Sequence, residues 1–142
     1  MQWNVDELEN WEELRSFVDT ALLPIYLYRK GKSVPEHAMR MNYLLNVAAA
    51  IEQKLKGRVL LYPVSYHFAE EQTSQEAPEG FVHQILLHFQ GDRVRPAQTV
   101  EEANVLTLPV GDEDLDSSLR FEVTVDVLYK EIIRHWQRSS AK

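Results

Sequence analysis

The chain has 142 residues and a formal net charge of −7, with 15 lysines and arginines against 22 aspartates and glutamates. A chain of this length can bury about two thirds of its unfolded surface, so we expect one domain over residues 1–142. The absence of cysteine excludes disulfides, thiolate metal sites and a cysteine nucleophile. The acidic balance disfavours nucleic acid as a partner unless a basic face is strongly segregated.

The N-terminal segment and the apolar runs predict where the protein resides. The segment MQWNVDELENWEEL is acidic and amphipathic, whereas a signal peptide would be basic and then apolar. The longest apolar runs are far shorter than the about 20 residues that cross a bilayer. We therefore predict a cytoplasmic protein that is not embedded in a membrane.

The first 28 residues predict a helix and a strand. Asn4 and Asn10 each precede a glutamate by three residues, which predicts two short helical turns or one bent helix over residues 5–18. The apolar run at 21–28 has the length of a buried strand. Pro24 interrupts this run and cannot donate to a central ladder, so it requires either a sheet edge or a bulge.

A second helix is predicted over residues 34–56. Ser33 and Glu36 have the spacing of a capping box, and Gly57 suits the left-handed position after the last turn. Between them runs an apolar stripe at helical spacing, formed by Met41, Leu44, Leu45, Ala48, Ile51 and Leu55.

The remaining elements predict an α/β fold. Strands are expected at 58–66, 81–89 and 104–110, a polar loop at 69–80, a helical turn at 99–103 and a final helix at 117–137. This order is typical of a three-layer single domain, with about four strands in a mostly parallel sheet flanked by helices. Two connections of about a dozen residues lack a clear helix, so a mixed sheet stays open as an alternative.

Three stretches resemble the YpiF-like family of uncharacterised proteins from Bacillus-type, Gram-positive bacteria. They are MQWN at 1–4, FVDTALLPI at 17–25 and KGRVLLYP at 56–63, all in the first half of the chain. None is a catalytic signature, so the resemblance assigns no functional residue. It implies a single-domain cytosolic protein. Members are often encoded near genes of a menaquinol–cytochrome c reductase, which implies a supporting role in respiratory-complex function.

The C-terminal ends of the predicted strands form the default ligand site of an open α/β sheet. The ligand-binding candidates that would lie there are Arg29, Lys30, Lys32, Tyr66 and Asp92. His67 is the candidate general base. The N-terminus of the 34–56 helix offers an anion site that the same loop cations would assist.

Other patterns favour structural interpretations. The chain has five glycines and no GxSxG elbow, P-loop or dinucleotide fingerprint, so we expect no cofactor. His83 and His88 would point to opposite faces of a strand, so we predict no metal site. Trp3, Trp11 and Trp136 would join the two terminal helices, or else form an exposed interface patch.

Two functions from different classes stay open. The absence of an assembled motif favours a non-catalytic module that binds a protein partner or a small molecule. The alternative is a small enzyme that acts on an anionic small molecule at the strand ends. In that enzyme, His67 would be the base and Arg29 or Lys30 the anion clamp.

Overall fold

The structure is a computed structural model that describes residues 1–68, 73–97 and 104–140. Its elements, in chain order, are α1 Trp11–Leu14, β1 Thr20–Leu27, α2 Val34–Lys54, β2 Val59–Leu61, β3 Ser65–His67, β4 Thr73–Gln75, β5 His83–Phe89, β6 Val94–Pro96, β7 Val105–Val110 and α3 Ser118–Ser140. Among the described residues, no helix combines the length and the apolar character that crossing a bilayer requires.

The main sheet has the strand order β2-β1-β5-β7, and β3 pairs with the same edge of β1 as β2. All ladders between described strands are parallel. The predicted α/β class with a mostly parallel sheet is therefore confirmed. β4 and β6 form a separate parallel pair. The polar loop predicted at 69–80 is thus wrong for 73–75, while 69–72 and the predicted turn at 99–103 lie outside the described residues.

Pro24 lies within the central strand β1, opposite a break in the neighbouring strand. The carbonyl of Leu22 accepts a hydrogen bond from the Tyr62 N–H at 2.9 Å, so the backbone groups of even-numbered β1 residues face β2 and β3. Pro24 has no N–H to offer on that side. On that side, the three residues 62–64 separate β2 from β3. The matching part of β1 has only two residues, 23 and 24. The predicted strand 58–66 is therefore divided by a bulge, which is one of the two arrangements that Pro24 required.

The two faces of the sheet have different covers. One face packs against α2 and α3 in a single apolar cluster. The opposite face packs against Tyr62, Phe81 and Val94, and Trp11 of α1 contacts the Phe81 ring with centroids 6.1 Å apart. The long helices thus lie on one side, and short segments cover the other. Of the two alternatives predicted for residues 5–18, two short turns fit better than one bent helix. The Leu8 N–H donates to the Asn4 carbonyl at 3.1 Å in a first turn, and Trp11–Leu14 forms the short helix α1.

A hydrogen-bonded network joins β1, β2 and α3 at the N-terminal edge of the sheet. Arg58 donates from Nε and Nη2 to the two carboxylate oxygens of Asp19 at 2.9 and 3.0 Å. The Thr20 hydroxyl donates to Asp19 and accepts from the Trp136 indole, both at 2.9 Å. Burial opposes ionisation of Asp19, but the hydrogen bonds from Arg58 and Thr20 outweigh it and hold the pKa of Asp19 below its usual value.

The three tryptophans therefore have separate partners. Trp136 belongs to this network, Trp11 contacts Phe81, and Trp3 stacks near Tyr62 with centroids 4.6 Å apart. The interpretation that these rings join two terminal helices is wrong, because α1 and α3 lie on opposite faces of the sheet.

Two buried histidines meet beside this network. Nδ1 of His83, on β5, lies 3.1 Å from Nε2 of His135, on α3. His83 and His88 are five residues apart on β5, so their side chains face opposite sides of the sheet, as predicted. Burial lowers the pKa of His83, with Asp19 opposing the shift and Arg58 adding to it. Burial also lowers the pKa of His135, and His83 and Arg138 lower it further.

We predict that this pair makes the protein less stable in mild acid. Because both folded-state pKa values lie below the unfolded value of about 6.5, the unfolded chain binds more protons below that pH. The free energy of unfolding should fall between pH 7 and 5.5, with a slope below the limit of about 1.4 kcal/mol per pH unit for each histidine. Urea unfolding at a series of pH values should show that the free energy of unfolding depends less steeply on pH in H83Q/H135Q. H67Q is the control. The prediction would be contradicted if the pH dependence of H83Q/H135Q equalled that of H67Q and of the unsubstituted protein.

Candidate functional site

The order of the strands reverses between β1 and β5. The chain places β2 and β3 on one side of β1 and then β5 and β7 on the other. Loops diverge at such a reversal and leave a crevice beyond the carboxyl ends of the strands. Here Arg29, after β1, donates from Nε to Oδ1 of Asp92, after β5, at 2.8 Å, and Nη2 donates to the same oxygen. The structure therefore brings two predicted site residues together at the reversal point.

Gly91 permits this contact. Its φ is +90°, and a Cβ added there would lie 3.2 Å from Nη2 of Arg29. Glycine therefore supplies both the left-handed turn and the close approach of the guanidinium. The turn leaves the Asp92 side chain 2% exposed beneath Arg29.

Arg40 is the most unusual residue at this edge. It lies on the inner face of α2, with its side chain 5% exposed. Nη1 donates to Oδ2 of Asp112, after β7, at 3.1 Å, and the guanidinium lies 4.3 Å from the centre of the Phe89 ring. Nε and Nη2 are buried and have no well-aligned hydrogen-bond partner among the described residues, although the Tyr26 hydroxyl lies beside the guanidinium. These two nitrogens form the edge of a guanidinium that binds a carboxylate or phosphate with two parallel hydrogen bonds.

An aromatic group surrounds Arg40. The Tyr26 hydroxyl hydrogen-bonds Nδ1 of His37 at 2.6 Å, and the Tyr28 ring stacks on His37 with centroids 4.5 Å apart. Tyr66 stacks on Tyr26 at 5.4 Å. Burial raises the pKa of Tyr26 against the opposing effect of the nearby Arg40 guanidinium.

Buried polar atoms without partners concentrate at this edge of the sheet. Within the described part of the chain, five such atoms belong to this region, namely Nε2 of His37, Nε and Nη2 of Arg40, Oη of Tyr43 and Oδ2 of Asp92. The other three are Nε2 of His67, Oε1 of Gln75 and Nε2 of His88. Most buried polar groups in native proteins are hydrogen-bonded, so a cluster of exceptions indicates a place where something else binds.

A groove opens beside Arg40, between α2 and the loop that joins β7 to α3. It has two parts, with volumes of about 400 and 540 Å³, that share Met39, Leu115 and Asp116 as walls. The smaller part is also lined by Lys32, Glu36, Arg40, Asp112 and Asp114. The larger part is also lined by Asn42, Tyr43, Asn46, Ser117, Ser118 and Phe121.

The predicted site residues are only partly assembled. Arg29 and Asp92 pair, Tyr66 joins the aromatic group, and Lys32 lines the groove. Lys30 is exposed on its loop. His67 lies on the face of the sheet opposite Tyr66, because side chains alternate along β3. It therefore points away from Tyr26 and Arg40.

The N-terminus of α2 is occupied by its own capping box. The Ser33 hydroxyl accepts from the Glu36 N–H at 3.3 Å, and the Ser33 N–H donates to Oε1 of Glu36 at 3.4 Å. A carboxylate already lies where the anion site was expected, so we place the candidate site at Arg40 instead. Over residues 1–68, 73–97 and 104–140, no group of three or more histidine or acidic side chains is placed to hold a metal ion.

Sequence reasoning missed His37, Arg40 and Tyr43 as site residues. A signal was available, because positions 37, 40, 44, 47 and 51 follow helical spacing and all five are buried. The buried face of α2 is therefore apolar along most of the helix, and toward the N-terminus it continues with the polar residues His37 and Arg40. Two polar residues that extend an apolar stripe indicate a buried polar site.

The fold and this edge define a parallel α/β domain with a groove and unpartnered polar groups at the carboxyl ends of its strands. The chain belongs to the family described as "Protein of unknown function (DUF2487)", which matches residues 9–133. It is 26% identical to the uncharacterized protein YpiF of Bacillus subtilis (strain 168) over 131 residues, which is 87% of each chain. The YpiF-like resemblance is therefore confirmed. No solved structure gives a significant match.

The three stretches that carry the resemblance are neighbours in space. The Leu61 N–H donates to the Met1 carbonyl at 2.8 Å, and the Thr20 N–H donates to the Arg58 carbonyl at 3.2 Å. These stretches thus build the β1–β2 half of the sheet and its N-terminal edge. They do not line the groove at Arg40.

We predict that Asp92→Ala lowers the free energy of unfolding by about 1–3 kcal/mol, because Arg29 loses a buried, charged hydrogen-bond acceptor. Urea unfolding at pH 7 measures the change. Asp126→Ala is the matched control, since its pair with Lys130 on α3 is exposed and such pairs contribute little. Equal effects of the two substitutions would contradict a structural role for the Arg29–Asp92 pair.

Proposed function

We propose that the chain is a single non-catalytic binding domain, and that its ligand is a small molecule whose anionic group binds Arg40. The observation that carries the proposal is the buried Arg40 guanidinium, of which only Nη1 has a hydrogen-bond partner among the described residues. The cytoplasmic location and the respiratory role implied by the resemblance stay predictions.

The physical argument is the cost of burying donors. A guanidinium carries five N–H donors and stays charged at any physiological pH. Leaving a buried donor without an acceptor costs about 1–3 kcal/mol, and more for a charged group. Folding alone does not favour this arrangement, whereas a carboxylate or phosphate bound to Nε and Nη2 would remove the cost. The ligand thus supplies the acceptors that the protein lacks.

Access to Arg40 is provided by the groove. The smaller part of the groove is lined by Arg40 together with Lys32 and Met39, two long and flexible side chains. A ligand would reach the guanidinium by displacing these two side chains. The added charge of Lys32 also favours an anionic group at this end.

A small enzyme is the second candidate function, and one observation favours it. The Tyr26–His37 hydrogen bond lies beside Arg40, where the imidazole would accept a proton from a substrate whose anionic group binds the guanidinium. In that case His37, and not His67, would be the general base. Turnover that is lost in H37Q and retained in H67Q would support this second candidate.

We predict that thermal-shift screening against carboxylates and phosphates identifies ligands that raise the unfolding midpoint. Saturation at 100 times the dissociation constant adds about 2.7 kcal/mol of stability, which corresponds to several degrees. Arg40→Lys keeps the positive charge but removes the two parallel N–H donors of Nε and Nη2. The ligand-induced shift of the unfolding midpoint should therefore fall by at least half.

Arg120→Lys is the matched control, because Arg120 is exposed at the start of α3 beside Asp114. It should leave the ligand-induced shift unchanged. Each shift is measured against the variant's own ligand-free midpoint, so that a change in basal stability does not count. A shift that is the same in R40K and R120K would overturn the proposal.

A further inference from the structure

We infer that the ligand of this site is a zwitterion of amino-acid size with an apolar side chain. This inference rests on the proposed function, since Arg40 binds the carboxylate in both. It adds an ammonium group, bound by the acidic loop after β7, and an apolar side chain, bound in the larger part of the groove.

The charge of the groove argues against a simple anion. The smaller part presents the two cations Lys32 and Arg40 together with four carboxylates, those of Glu36, Asp112, Asp114 and Asp116. Two of these carboxylates are already paired, Asp112 with Arg40 and Asp114 with Arg120, so that Glu36 and Asp116 face Lys32 alone. A ligand with only negative charge would therefore meet excess negative charge around its own binding partner. A ligand that carries a cation next to its carboxylate matches both signs.

Asp116 is placed to receive that cation. It lines both parts of the groove, so it stands where they join. It follows Asp114, which has a left-handed φ of +53° and whose carbonyl accepts the Ser117 N–H at 3.0 Å. Aspartate tolerates this conformation, and the tight turn directs the loop toward α2. An ammonium at the junction would face Asp116 on one side while its carboxylate reaches Arg40.

The larger part of the groove combines an apolar and aromatic surface with the polar side chains of Asn42, Asn46, Ser117 and Ser118. Its walls include Met39, Leu115, Tyr43 and Phe121, and the last two rings meet edge to face with centroids 5.8 Å apart. The Tyr43 hydroxyl is buried there without a partner among the described residues. Because Arg40 and Tyr43 are three residues apart on α2, their Cβ atoms lie about 5–6 Å apart. That separation fits a carboxylate and the side chain of one amino acid.

Matched probes test the contributions of the ligand's carboxylate, ammonium and side chain separately. Phenylalanine carries the carboxylate, the ammonium and the side chain, 3-phenylpropionate lacks the ammonium, and 2-phenylethylamine lacks the carboxylate. Leucine, 4-methylpentanoate and 3-methylbutylamine form a parallel aliphatic set. We predict by calorimetric titration that at least one amino acid binds at least five times more tightly than both of its matched probes.

The outcomes distinguish this inference from the proposed function. Equal or tighter binding of the acids, lost in R40K, overturns the zwitterion and leaves the anion site intact. Binding of the amines alone, or affinity that R40K does not change, overturns both. No binding of any probe of either set also overturns the zwitterion, while the carboxylate and phosphate screen decides the proposed function separately.

Asp116→Asn tests the ammonium contact directly. Because Asp116 is exposed, the variant should fold with an unchanged unfolding midpoint. Its affinity for the amino acid should fall at least fivefold, while its affinity for the matched acid stays the same or rises. Asp6→Asn, far along the chain and equally exposed, should change neither affinity. A parallel loss of both affinities in D116N would show a structural role and would overturn the assignment.

Discussion

The structure depends on the parallel pairing of β1 with neighbours on both of its sides. All eight residues of β1 are buried, and the strand pairs with β2 and β3 on one edge and β5 on the other. Because parallel strands end at the same edge of a sheet, the loops after β1, β5 and β7 must emerge side by side. For this reason Arg29 pairs with Asp92, and Asp112 reaches Arg40 on α2, although these residues are distant in the chain.

The two edges of the sheet use arginine in contrasting ways. At the N-terminal edge, Arg58 makes a two-pronged pair with Asp19, and the surrounding hydroxyl and indole groups are hydrogen-bonded. At the C-terminal edge, Arg40 is more deeply buried and makes a single hydrogen bond among the described residues. The first arrangement stabilises the fold. The second leaves donors buried without acceptors, which is the observation on which the proposed ligand site rests.

Sequence patterns predicted most elements because each pattern reflects a local constraint. The capping box at Ser33 and the stripe through Leu44 and Ile51 placed α2 within two residues of its observed ends. Pro24 was also correctly read as incompatible with an uninterrupted ladder. At the N-terminus the alternative of two short helical turns was closer than one bent helix, since capping signals alone do not bury a helix face. His37 and Arg40 were overlooked because polar residues on a helix usually face solvent.

By itself, the sequence determined the class of fold, the approximate ends of the buried strands and the placement of Arg29 and Asp92 at the ends of strands. Periodicity and capping act over a few residues, so they can be read along the chain. Only the tertiary structure decided that α2 and α3 share one face, that Tyr66 and not His67 faces the side of Tyr26, and that Arg40 is buried beside Phe89. Those facts depend on contacts between residues far apart in the chain, and on which polar atoms find a partner, which no local pattern specifies.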